Sequence, residues 1–133
     1  MEFAIILPLL VLLAFGIIEL SFLFYDQAMI TNASREGARV GIVYRNPAVT
    51  DAEISSVVNN YLGTHLITFG SKKSPSSDPV TGAAVIVTRA GVSPGGELRV
   101  KVGYTYSFLV LPQFALGVGQ GINMAAETAM RME

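Results

Sequence analysis

The sequence predicts an α+β fold: a long N-terminal hydrophobic α-helix, its outer half amphipathic, packed on a small antiparallel β-sheet of about three strands, with one short helix besides. Three observations point there. Residues 3–25 form an apolar run interrupted by one charge, Glu19. Residues 26–45 then continue without a proline. Residues 98–108 alternate apolar with polar or small side chains at every step, the period of a strand with one face buried and one wet.

The opening helix is justified first by length. Phe3 to Tyr25 is 23 residues, which at about 1.5 Å each reach roughly 34 Å, enough to cross a hydrocarbon core of about 30 Å. A removable secretion signal has a shorter apolar region followed by small residues at a cleavage site. Here FLFYDQ follows instead, so a lasting anchor or a helix that packs against copies of itself is expected. The helical pattern runs on through DQAMITNASREGARVGIVYR to Asn46, which Pro47 biases out of the helical region. Ile30, Ala33, Gly37, Val40 and Tyr44 fall on one stripe. Ala33, Gly37 and Gly41, spaced by four, form a ridge of small residues that lets another backbone come close. Pro8 and Gly16 weaken the apolar run from within, which lipid tolerates only where other groups satisfy the freed backbone. The expectation is one helix of about 40 residues, half in lipid and half outside, with residues 1–25 as the membrane or assembly segment and 26–133 as the domain.

A second helix is expected in TDAEISSVVNNYLGTHL, with Thr50 or Asp51 as N-cap and Glu53 in the first turn. Ile54, Val57, Val58, Tyr61 and Leu62 make its buried face and Gly63 its end. GSKKSPSSDPVTG has the composition of an exposed loop. AAVIVTRA is a short β-branched strand and VSPGGE a turn. Leu98, Val100, Val102, Tyr104, Tyr106 and Phe108 form the inner face of the next strand. The link LVLPQFALGVGQG has no assignable period. INMAAETAMRME alternates again, Ile122, Met124, Ala126, Met130 and Met132 against Asn123, Glu127, Arg131 and Glu133. It reads as a third antiparallel strand, an amphipathic helix being the competing assignment because Ala, Met and Glu favour helix.

Composition excludes several function classes. The formal net charge is −1 and the nine Lys and Arg are dispersed, so no basic footprint for nucleic acid exists. With no Cys, disulfides, thiolate catalysis and thiolate metal sites are ruled out. His65 is the single histidine and sits at an expected helix end, where the dipole gives it a structural reason. GVGQG lacks the strand-turn-helix context of a phosphate loop. Neither an enzyme nor a cofactor is expected.

The acids of the opening carry the functional signal. Glu2 stands at the start of the apolar run, where a carboxylate can neutralise the free amine of an adjacent chain. Glu19 has two readings: an ionisable group turned toward a partner, or one that reaches for the membrane's edge beside the aromatic belt of Phe22, Phe24 and Tyr25. Arg35 and Arg39 are the cations that follow the span. By the positive-inside rule they place the domain in the cytoplasm, and a basic leader before Met1 would reverse that bias.

With these residues read, the chain resembles the TadE-like family of pilin-like proteins of the tight-adherence (Tad, type IV-related) pilus. MEFAIILPLLVLLAFGIIEL is similar to the family's opening, YDQAMITNASREGARVG to the stretch after it, with the REGAR core at Arg35 to Arg39, and AAETAMRME to its end. The resemblance implies a prepilin-type leader cut at the membrane, a single-pass inner-membrane precursor with a cytoplasmic N-terminus, and later residence in an extracellular pilus. It implies copies of the chain, other pilins, a prepilin peptidase and the pilus assembly machinery as partners. Residue by residue, Glu2 and Phe3 match the Glu-aromatic pair, Glu2 being the assembly carboxylate; Pro8 matches the proline of the run, and Glu19 the acid after Gly-Ile-Ile. One departure is clear: the family's glutamate is the fifth mature residue, whereas here Met1 alone precedes Glu2. Three roles follow: a structural filament subunit, a minor pilin or membrane-anchored priming factor, and a tethered adhesin whose contact loop would be residues 71–82.

Overall fold

The computed structural model describes residues 2–67, 84–91, 95–108 and 121–132. The long loop expected at 70–82 and the link at 109–120 lie outside them. Five elements follow in order: α1 (Glu2–Gly41), α2 (Asp51–His65), β1 (Val85–Ala90), β2 (Glu97–Tyr106) and β3 (Ile122–Arg131). The α+β expectation holds, with one long helix, one short helix and an antiparallel sheet in the order β1-β2-β3.

α1 is a single helix of 40 residues that carries Pro8 inside it. It closes at Gly41, short of the expected residue 45, after one further helical bond from Ile42 N to Ala38 O at 3.0 Å. Gly41 and the β-branched pair Ile42–Val43 favour helix poorly. Arg45 beyond them forms an ion pair with Glu53 at the start of α2, which requires the chain to turn back. Tyr44, expected on the buried stripe, is therefore off the helix and 77% exposed.

α2 begins with a complete capping box. Thr50 Oγ1 accepts from Glu53 N at 3.2 Å, and Glu53 Oε2 accepts from Thr50 N at 2.8 Å. That satisfies two of the backbone donors a helix start leaves open. Ile54, Val58 and Leu62 are buried, while Val57 and Tyr61 lie at the margin. Gly63 does not end the helix; it continues to His65, and Leu66 N donates to Leu62 O at 3.0 Å. Leu62 and Leu66 are both buried, and their spacing of four rewards the extra turn.

In the sheet, β1 pairs with β2 from Val85↔Val102 to Ala90↔Glu97, and β2 with β3 from Glu97↔Arg131 to Tyr106↔Ile122. The turn between β1 and β2 uses Gly95 at φ +93°, a conformation that a Cβ disfavours. All five inward side chains read from the alternation of β2, Leu98 to Tyr106, are buried. β3 is a strand as expected and not a helix, with Met124 and Ala126 buried and Asn123, Glu127 and Arg131 exposed. Both helices pack on one face of this sheet, and the core lies between the layers.

Candidate assembly surface

The residues singled out in α1 divide into two groups. Phe3 and Pro8 lie in a bare stretch of helix where Leu9, Leu13, Phe15 and Ile17 are exposed as well. Glu2 opens the helix. Phe3, Pro8 and the leucines around them are strung along the rod and converge on no pocket. From Ile6 to Phe15 this bare stretch is an apolar surface larger than a monomer in water normally shows.

The second group is covered by the chain's own domain. Ala33, Gly37 and Gly41 are buried, and what faces the two glycines is α2 and β2. A Cβ built on Gly37 would stand 2.6 Å from Val58 Cγ2 and 3.4 Å from Val100 Cγ1. One built on Gly41 would stand 2.7 Å from Ile54 Cδ1 and closer still to Leu98 Cδ2. The small-residue ridge thus admits neighbouring side chains from the same chain.

The cover extends down α1 in register. β3 runs alongside the helix, with Gln27 Nε2 donating to Ala125 O at 3.4 Å and Ser34 Oγ 2.7 Å from Thr128 Oγ1. Seven helix residues and three strand residues each cover about 10 Å, so strand and helix axes are nearly aligned. β2 runs the opposite way. Leu98 packs at Gly41, and at the other end the Tyr106 hydroxyl donates to the Glu19 carbonyl at 3.5 Å.

Glu19 is consequently 3% exposed while Ile18 and Leu20 on either side are open. The acid neither protrudes from the bare helix nor reaches outward; it is enclosed where the sheet ends. Tyr106 is pushed up to about 12, first by burial and then by the negative charges of Glu19 and Asp26. Asp26 is itself fully buried. Its Oδ1 accepts from Ile67 N at 3.0 Å, tying the exit of α2 to α1. Oδ2 has no hydrogen-bond partner among the described residues. Burial raises the Asp26 carboxyl above its ordinary range, opposed by the bond from Ile67.

The sequence reading missed Asp26, Ser34, Thr128 and Tyr106 as the polar fastenings of helix to sheet. A signal existed for the first two: Asp26 precedes Ile30, Ala33 and Gly37 at helical spacing, and Ser34 adjoins that stripe. Gly16, the remaining residue, is half-buried between exposed Phe15 and Ile17. His65 is exposed, its ring stacked on Tyr61 with centroids 4.4 Å apart. Among the described residues, no group of three or more His, Asp or Glu could hold a metal ion.

The family model for TadE-like protein matches residues 1–39, nearly the whole of α1. α2 and the sheet fall outside that match. No curated protein and no solved structure matches the chain.

Proposed function

This chain carries a TadE-like segment over residues 1–39, and from that premise we propose that it is a pilin-like structural subunit of a Tad or type IV-like pilus, assembled through its N-terminal helix for surface attachment. The observation that carries the reading is the bare apolar helix from Phe3 to Ile18 projecting from a folded α+β domain. Such a surface needs lipid or other helices around it. The membrane holds the subunit before assembly, and bundling with copies of itself and other pilins replaces lipid afterwards. In this scheme residues 1–25 are the membrane and filament-core segment and 26–133 the extracytoplasmic domain. Glu2 is the carboxylate that meets a neighbouring chain's amine, after a prepilin peptidase and the assembly machinery have acted. Phe3, Pro8 and Gly16 belong to the bundled face. Nothing in this role calls for catalysis.

The alternative within the same class is a minor pilin or membrane-anchored priming factor. Shearing surface filaments and measuring their composition separates the two. The structural-subunit reading expects this chain as bulk protein of the sheared fraction, and recovery in the inner-membrane fraction alone overturns it. Glu2→Ala is expected to leave membrane insertion intact and to abolish filaments; normal filaments from that variant remove Glu2 from assembly.

A further inference from the structure

The part of α1 that is bare on every side is short for a bilayer, and beyond Glu19 one face stays open and apolar, at Leu20, Phe24 and Tyr25, while the sheet covers the other. Between the acids Glu2 and Glu19 lie 16 residues, about 24 Å of helix against a hydrocarbon core of about 30 Å. Tilting such a helix only shortens its reach along the membrane normal. The missing length of about 6 Å corresponds to about four more residues of α1. Those residues, from Glu19 to about Phe22, are where the sheet already lies against the helix.

The register places the sheet's end there. Gly103 pairs with Ala125, and Gln27 bonds to Ala125, so Gly103 stands level with Gln27. Tyr106 and its pairing partner Ile122 are three residues further down their strands, about 10 Å, and so level with about residue 20 of α1. Phe108 is five residues beyond Gly103, about 17 Å, level with about Gly16. The half-burial of Gly16 between exposed neighbours agrees with that placement.

Charge on the sheet is segregated along the same axis. The described residues 103–108 and 121–126 carry no charged side chain. Arg89, Glu97, Arg99, Lys101, Glu127 and Arg131 all lie toward the opposite end. Phe108 packs edge-on to Tyr106 with ring centroids 5.5 Å apart, and Phe108 and Ile122 are half-buried. Aromatic and apolar groups without charge are what a bilayer boundary accepts.

We propose that this rim of the sheet, Phe108 and Ile122 with Tyr106 buried behind them, sits against the lipid of the bilayer boundary while the subunit is in the membrane. The domain is seated on the bilayer and lines the thickness that the fully bare part of α1 does not reach; it is not held clear of the surface on a stalk. Glu19 is then shielded from lipid by Tyr106 of its own chain. The inference rests on the membrane-resident stage of the proposed function.

The chain has no Trp, so single-tryptophan variants report one position each. The full chain is reconstituted in phosphatidylcholine vesicles carrying bromine at shallow or deep acyl positions, with circular dichroism confirming the fold of each variant. Phe15→Trp monitors insertion of the bare helix, Tyr44→Trp the far end of the domain, and Phe108→Trp and Ile122→Trp the rim at two independent sites. Strong quenching of both rim variants is expected, Ile122→Trp chiefly by shallow bromines and Phe108→Trp, level with Gly16, by the deeper ones that also quench Phe15→Trp, with Tyr44→Trp untouched. Quenching of Phe15→Trp with rim variants as bright as Tyr44→Trp overturns the seating while the membrane reading stands. This is also the result of a bilayer that thins to meet a short helix, or of a rim covered by a second copy. If Phe15→Trp is not quenched, the chain does not insert, and both readings fall.

Discussion

Gly37→Ala puts the small-residue ridge to a quantitative test. In an exposed helix interior this change stabilises by about 1 kcal/mol, because alanine loses less backbone freedom on folding. At Gly37 the added carbon would stand 2.6 Å from Val58 Cγ2, about 1 Å inside an ordinary carbon–carbon contact. Val58 lies within α2 and is fully buried. A helical valine has one strongly preferred χ1, so its methyl cannot swing aside cheaply. Ile54 Cγ2 and Val100 Cγ1 at 3.4 Å close the other directions. Overpacking of this kind costs about 1–3 kcal/mol. Set against the propensity gain, the net effect is destabilisation of up to about 2 kcal/mol. Gly63→Ala is the matched control, likewise within a helix, α2, but with nothing within 4 Å of the added carbon; it should stabilise by up to about 1 kcal/mol. Thermal unfolding of the detergent-solubilised chain, followed by circular dichroism, reads both at about 4 °C per kcal/mol for a chain of this size. The two variants are expected to shift Tm in opposite directions. A Gly37→Ala variant that melts above the parent, alongside Gly63→Ala, refutes the claim that the ridge is closed by the chain's own domain.

Two further outcomes follow from the fastenings of helix to sheet. Because burial raises the Asp26 carboxyl above its unfolded value, the folded state holds that proton more tightly, and its stability falls as pH rises from the ordinary carboxylate range through the raised value. Asp26→Asn keeps an oxygen for Ile67 N and removes the buried charge, so its Tm should exceed the parent's near neutral pH and the gap should close in acid; a gap independent of pH counts against the assignment. Removing one member of the Ser34–Thr128 hydroxyl pair, as Ser34→Ala, takes the partner from the half-buried Thr128 and should cost about 1 kcal/mol, whereas Ser34→Ala with Thr128→Val should recover most of that loss. Equal Tm values for the single and double variants would show that the pair is not coupled.

Much of the architecture was legible because it rests on periodicity. The alternation from Leu98 to Phe108 placed β2, and Thr50 with Glu53 placed the start of α2. What periodicity cannot carry is the identity of the element that covers a face. Ala33, Gly37 and Gly41 at a spacing of four announce a close approach, and they look the same whether a second copy or the chain's own α2 makes it. Thr128 sits on the inward face of β3 among apolar residues, and only its partner on α1 explains a hydroxyl there. Gly63 carried a stop signal that burial of Leu62 and Leu66 overrode.

Glu19 shows how the same limit touches function. From the sequence it was either an acid in search of a partner or a marker of the membrane's edge. In the structure the acid is buried, the Tyr106 hydroxyl donates to its backbone carbonyl, and the element that covers it there is the end of the sheet. Because β2 grips α1 from Gly41 to Glu19, helix and domain over that length form one packed body. On the proposed function, a subunit leaving the membrane would move the bare helix and the domain together, without bending between Glu19 and Gly41. What would change in such a transfer is the environment of the apolar stretch from Phe3 to Ile18, lipid before and neighbouring helices after. The buried acids would stay shielded throughout, so the proposed transfer need not expose a carboxylate to hydrocarbon, a step whose cost would otherwise oppose it.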